Sequence, residues 1–123
     1  MEGAVLHGIR PILYTDRLEE SIQFYRDILG FELNEYNADW GWASLGSGMV
    51  EIMLSRPVGN KPFDGSKFTG SLYITCEAVE VIWMELKDQL EVVYALEEFP
   101  WGMHEFAVYD LNGYVLQFGE MVN

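Results

Sequence analysis

Basic residues are scarce in this chain. Seven Lys and Arg stand against twenty Asp and Glu, a formal net charge of −13. A surface of that sign repels a phosphate backbone, so nucleic acid is excluded as a partner, and an anionic membrane surface is excluded for the same reason. Cysteine is nearly absent. Cys76 is alone, so no intrachain disulfide can form, and a reducing cytoplasm is the expected location. No apolar run approaches the length of a membrane span. Met1-Glu2-Gly3-Ala4 lacks the basic region and long apolar stretch of a signal peptide. No glycine-rich phosphate loop and no Ser-His-Asp arrangement is visible. Histidine is limited to His7 and His104.

What is present is apolar and aromatic. Of 123 residues, 50% are hydrophobic and 15% aromatic. That length fits one domain, and that composition supports a core without disulfide or metal. The aromatic share exceeds what a minimal core needs and points to a lined cavity. The acidity would attract a cationic ligand, although it equally serves solubility.

Taken in order, Val5 to Tyr14 reads as a strand, with Pro11 marking an edge or an end. Asp16-Arg17-Leu18-Glu19 has the form of a capping box. Leu18, Ile22, Tyr25, Ile28 and Leu29 recur at helical spacing, and Gly30 stops the helix. Phe31 to Tyr36 is a second strand. A hairpin follows, Trp40 to Leu45 returning through Met49 to Leu54. Ser55 to Gly70 gathers Pro57, Pro62, Gly59, Gly65, Lys61 and Lys67, and reads as a linker. Ser71 to Cys76 is a strand. Val79, Ile82, Trp83, Leu86 and Leu90 give a second amphipathic helix. Glu91 to Ala95 is a short strand. Phe106 to Tyr109 and Tyr114 to Phe118 form a closing hairpin around Asp110-Leu111-Asn112-Gly113, with Asn112 and Gly113 suited to positive φ.

Each half therefore reads strand, helix, three strands. The expected fold is α+β: two βαβββ modules forming one curled mixed sheet, a cup with the helices outside. The chain is a single domain, 1–123, with module 1 over about 1–56, a linker over about 57–69 and module 2 over about 70–123. Alternation groups Met49, Glu51 and Met53 on one side of a strand. Tight turns would put Trp40 and Trp42 on the Glu51 face, and His104 and Phe106 on the Gln117 face. A one-residue change in either turn reverses that register.

Three stretches carry a resemblance: Arg10-Pro-Ile-Leu-Tyr-Thr-Asp, Glu20-Ser-Ile-Gln-Phe-Tyr-Arg-Asp-Ile-Leu-Gly-Phe31 and Pro100-Trp-Gly-Met-His-Glu-Phe-Ala-Val-Tyr-Asp-Leu-Asn-Gly. With these the chain resembles the vicinal-oxygen-chelate superfamily of glyoxalases, bleomycin resistance proteins and dioxygenases, most of all the bleomycin-resistance type. The resemblance implies paired modules and a homodimer. It also implies four metal-ligand positions, which fall here on Arg10, Glu51, Ser71 and Gln117. Arg10 is a fixed cation and Ser71 a poor ligand, so no metal and no cofactor is expected. An Arg10–Glu51 ion pair is the expected use of those charges. Leu111 and Tyr114 replace the Pro and Asn that the family turn often carries.

The function expected is binding of a small organic molecule, cationic and aromatic in character, without metal and without catalysis. The binding residues expected are Arg10, Trp40, Trp42, Glu51, Met53, Trp101, His104, Phe106 and Gln117. The alternative is a metal-dependent lyase, isomerase or dioxygenase of the glyoxalase kind. A metal-free enzyme with Glu51 as general base is a further alternative, disfavoured by Arg10. His7 and Cys76 are assigned packing or surface roles.

Overall fold

The computed structural model of the chain describes residues 2–5 and 7–123. It divides into two compact units, Met1–Phe63 and Asp64–Asn123, with the boundary inside the stretch expected to link the modules. Each unit is a strand–helix–three-strand module with its own four-stranded mixed sheet, so the two-module α+β organisation holds. No helix among the described residues is long and apolar enough to cross a membrane.

Module 1 contains β1 (Ile12–Tyr14), α1 (Leu18–Asp27), β2 (Glu32–Asn37), β3 (Trp42–Ser47) and β4 (Val50–Ser55). The sheet order is β1-β4-β3-β2, with β1 parallel to β4 and the other pairs antiparallel. The first strand is shorter than expected. Only Ile12–Tyr14 of the expected Val5–Tyr14 run is strand among the described residues, and Leu6 lies outside them. Pro11 has no N–H to give a ladder and joins the sheet only through its carbonyl, which accepts the Met53 N–H. The expected Asp16–Glu19 capping box does not form. The Thr15 hydroxyl accepts the Arg17 N–H at 2.9 Å, and the helix starts after Arg17, which makes no side-chain cap. At the other end Gly30 takes φ +74°, as expected, and the Phe31 N–H returns to the Tyr25 carbonyl. Helix α1 lies against β2, β3 and β4. Its Ile22, Phe24 and Tyr25 share the core with Leu13, Ala43, Leu45, Ile52 and Leu54, all buried.

Module 2 contains β5 (Leu72–Thr75), α2 (Val79–Leu86), β6 (Val92–Phe99), β7 (Met103–Tyr109) and β8 (Val115–Met121), in the order β5-β8-β7-β6. Its second and third strands are longer than expected. Glu97 pairs with Glu105 and Phe99 with Met103, so the sheet runs on to the Pro100-Trp101-Gly102 turn, where Gly102 takes φ +84°. In the final turn only Gly113 has positive φ; Asn112 does not, because Asp110 Oδ1 accepts both the Asn112 and Tyr114 N–H groups and holds the turn. Helix α2 begins after Ala78, whose φ of +54° is unusual for a residue with a side chain. The Glu120 carboxylate offsets this by accepting the Ala78 and Val79 N–H groups from across the sheet. Trp83 of α2 lies on Phe106 with ring centroids 5.1 Å apart, and Phe106 stacks on Phe118.

Leu45 is fully buried under α1. Leu45→Ala should lower unfolding free energy by about 2–5 kcal/mol with an unchanged denaturant slope, as read by urea unfolding.

Candidate functional site

A strand shows alternate side chains to opposite faces, so each sheet has one face under its own helix and one turned away. In module 1 the register pairs Trp42 with Ser55, Ser44 with Met53 and Gly46 with Glu51. Those residues share the face away from α1, and Ile12 and Tyr14 join it through the parallel pairing of β1. Glu51 accepts a hydrogen bond from Ser44 Oγ at 2.9 Å and from the Arg10 guanidinium at 3.1 Å. The expected ion pair is therefore formed. The Ser44 hydroxyl first, then Arg10, holds the Glu51 carboxyl below the usual glutamate range, against a weaker upward push from burial. Trp42 Nε1–H points to Met53 Sδ at 3.3 Å. Arg10, Trp42, Glu51 and Met53 are thus on one face, as expected.

Trp40 is not on that face as a strand residue. It sits in the turn before β3, 69% exposed, with its N–H donated to Asn37 Oδ1. Met49 likewise belongs to the β3–β4 turn and is fully exposed. The strands begin later than expected, β3 by two residues and β4 by one, and this leaves both side chains in turns.

In module 2 the register pairs Gln117 with Ala107, and Phe106 with Phe118. His104 and Phe106 are therefore on the opposite face from Gln117, and the expected grouping is corrected. The side chain that shares the Gln117 face is Glu105. Phe106 is fully buried beneath α2 as core, and His104 stands opposite Glu120 in the ladder.

Glu105 is the residue that sequence reasoning missed. It is 2% exposed, yet it bears a carboxylate. Tyr94 donates to Oε2 at 2.5 Å, Trp101 Nε1–H to Oε1 at 2.7 Å and Tyr73 to Oε1 at 3.1 Å. The Tyr94 oxygen in turn accepts from Gln117 Nε2 at 2.8 Å, and Gln117 Oε1 accepts from the Ser71 hydroxyl. The chain Ser71–Gln117–Tyr94–Glu105 runs donor to acceptor in one direction, so each bond polarises the next. Burial alone would raise the Glu105 pKa, but the bonds from Tyr94, Trp101 and Tyr73 outweigh it and hold the carboxyl below its ordinary value. The same contact, with burial as its larger cause, pushes the Tyr73 phenol up to about 12. One signal in the sequence did mark this place. Gly119 interrupts an apolar strand, and a glycine there signals close approach by another group. Gly119 is the ladder partner of Glu105, and a Cβ on it would stand 2.6 Å from Tyr73 Cζ.

The four positions that the family uses for a metal do not suit one. Arg10 is a cation bound to Glu51, and Gln117 Oε1, the atom that would ligate, is turned to Ser71. Among the described residues no group of three or more His, Cys, Asp or Glu is placed to hold a metal ion.

A family model described as the Glyoxalase/Bleomycin resistance protein/Dioxygenase superfamily matches residues 6–118. Among solved structures, a protein of unknown function from Agrobacterium tumefaciens str. C58 is similar at 19% identity and TM-score 0.81, covering 98% of each chain. A glyoxalase/bleomycin resistance protein/dioxygenase from Nocardioides gives 18% identity and TM-score 0.75, over 99% of this chain and 88% of that one. A lactoylglutathione lyase from Agrobacterium tumefaciens gives 20% identity and TM-score 0.68, over 96% and 93%. At these identities the likeness is one of fold. No curated protein gives a significant match.

Because the folded-state pKa of Glu105 lies below its ordinary 4.5, its ionised form contributes stability that is fully present above about pH 4.5. That contribution is lost as pH falls through the depressed value. Glu105→Gln should cost about 1–3 kcal/mol at pH 7 and should flatten the acid limb, as measured by urea unfolding from pH 6 to pH 3.

Proposed function

The chain belongs to the glyoxalase/bleomycin resistance protein/dioxygenase superfamily, and within it we propose that it binds a small organic molecule without metal and without turnover. The observation that carries this reading is how the four family ligand positions are spent. Arg10 and Glu51 satisfy each other, and so do Ser71 and Gln117. A guanidinium cannot ligate, and neutral hydroxyl and amide oxygens bind divalent metals weakly. General-base chemistry at Glu51 is disfavoured by the same contacts, since a lowered pKa weakens a base.

The aromatic side chains supply the binding surface. Trp42 with Met53 in module 1, and Trp101 with its neighbours in module 2, offer flat and adaptable apolar contact. The net charge of −13 favours a cationic or neutral planar ligand over an anionic one. Elemental analysis of protein purified without chelator should find well under one equivalent of zinc, nickel, manganese or iron per chain. One equivalent, lost on Glu51→Ala, would turn the reading to the metal-dependent lyase, isomerase or dioxygenase.

Assembly as a homodimer belongs to the same proposal. Each module's sheet ends on two edge strands, β1 and β2 in one and β5 and β6 in the other, and exposed edges are commonly covered by a second copy. Sedimentation at micromolar concentration should give a dimer that strengthens as salt screens the acidic surfaces. A monomer under all salt conditions would refute it.

A further inference from the structure

Glu105 is buried, and no cation among the described residues pairs with it. Its partners are two phenols and an indole, all neutral. The ion pairs among the described residues are Arg10–Glu51, Arg17–Glu20 and Lys67–Asp64, and none involves it. A carboxylate commonly has about four lone-pair sites. Three donors already occupy this one, and its remaining surface is closed to solvent. The negative charge is therefore stabilised by hydrogen bonds but not neutralised, and its field extends to whatever lies over that face of the sheet.

What lies there is aromatic and open. Tyr73 is 42% exposed and Trp101 64% exposed. Trp101 stacks on Phe99 at 4.7 Å and 10°, which covers one face of the indole and leaves the exposed area to the rest of the ring. Tyr94 meets Phe99 edge-on at 5.6 Å. All three donors to Glu105 are conjugated with a ring, two as phenol hydroxyls and one as the indole N–H. Donation of a ring O–H or N–H to a carboxylate shifts electron density into the ring, which strengthens its attraction for a cation. Gly119 makes the arrangement possible. It is the ladder partner of Glu105, and its lack of a side chain lets the Tyr73 phenol cross β8 to reach the carboxylate.

We propose that Tyr73, Tyr94 and Trp101, polarised by the carboxylate of Glu105, form a subsite for an organic cation of the quaternary ammonium class. The subsite acts through ring faces and field, not through a direct bond to the carboxylate. That geometry selects among cations. A metal ion or a primary ammonium needs oxygen lone pairs to replace its water, and here three are taken and the rest of the carboxylate is closed to solvent. A quaternary ammonium sheds its weak hydration easily and needs only electron-rich surface. The proposal rests on the small-molecule-binding reading above and names the chemistry that one part of the ligand would carry.

The test uses benzyltrimethylammonium and its uncharged carbon isostere, neopentylbenzene, titrated by ligand-observed NMR into the full chain in the presence of chelator. The wild-type chain should prefer the cation by at least tenfold. Glu105→Gln, which keeps the shape and removes the charge, should reduce that ratio to within threefold of unity. Trp101→Leu removes one ring and one of the three donors while keeping the carboxylate, and it should weaken the cation by about tenfold; circular dichroism and urea unfolding of each variant separate that loss from a folding defect. Benzylammonium should bind less tightly than the trimethylated probe. Equal binding of cation and isostere by the wild type, no binding of either probe, or a cation preference that survives Glu105→Gln would overturn the proposal. A cation preference present with chelator, together with extra affinity gained when metal is added, would overturn the metal-free reading and leave the subsite standing.

Discussion

A carboxylate buried without a counter-cation is the constraint on which module 2 is built. An ionised group taken out of water is expensive, by several kcal/mol even after relaxation. Glu105 remains ionised because three ring donors converge on it. Those donors come from distant parts of the module: Tyr73 from the first strand, Tyr94 from the second, and Trp101 from the turn beyond it. Satisfying one carboxylate therefore fixes the register of three strands and the pose of a turn. Gly119 is part of the same constraint, because any side chain there would expel the Tyr73 phenol. The extension through Gln117 to Ser71 ties the start of β5 to β8 by side chains as well as by the ladder.

The two modules share an order of elements and differ in how they treat charge. In module 1 the carboxylate facing away from the helix, Glu51, meets a guanidinium and a hydroxyl, so its charge is compensated locally. In module 2 the corresponding face carries a carboxylate compensated by dipoles alone. An ion pair cancels the field at a distance, whereas neutral donors stabilise a charge and leave its field largely intact. Module 1 thus offers a nearly neutral aromatic surface of Trp42 and Met53, and module 2 an electron-rich one. Among the described residues, neither surface carries a group of three or more His, Cys, Asp or Glu placed to hold a metal ion.

Much of this was legible in the chain. Helical spacing from Leu18 to Leu29 and the stop at Gly30 are local, and they appear where the periodicity puts them. The Arg10–Glu51 pairing was legible because Arg10 continues the alternation of Ile12 and Tyr14 just before β1, and the family pattern makes that strand a neighbour of β4. The failures were failures of register. His104 and Phe106 were expected on the Gln117 face because a tight turn would pair Tyr109 with Tyr114. The ladder pairs Tyr109 with Val115 instead, and that one-residue change puts Glu105 on that face. Trp40 failed similarly, since the chain turns through residues 38–41 before β3 begins. At the helix start, Thr15 outcompeted Asp16 for the cap region because its hydroxyl already faced the Arg17 N–H.

By itself the sequence determined the kinds of element, their order, the twofold repetition and the residue types at Arg10, Glu51, Ser71 and Gln117. Each of these depends on residues near one another along the chain, or on residue type alone. Tertiary structure decided which polar residue would be buried on the face of β7. A strand's side chains change face with every one-residue shift, and only the pairing of β7 with both β6 and β8 fixes that parity. It also decided that Tyr73, Tyr94 and Trp101 would meet at Glu105. They lie up to 32 residues away along the chain, and three strands must pair before any of them can reach it.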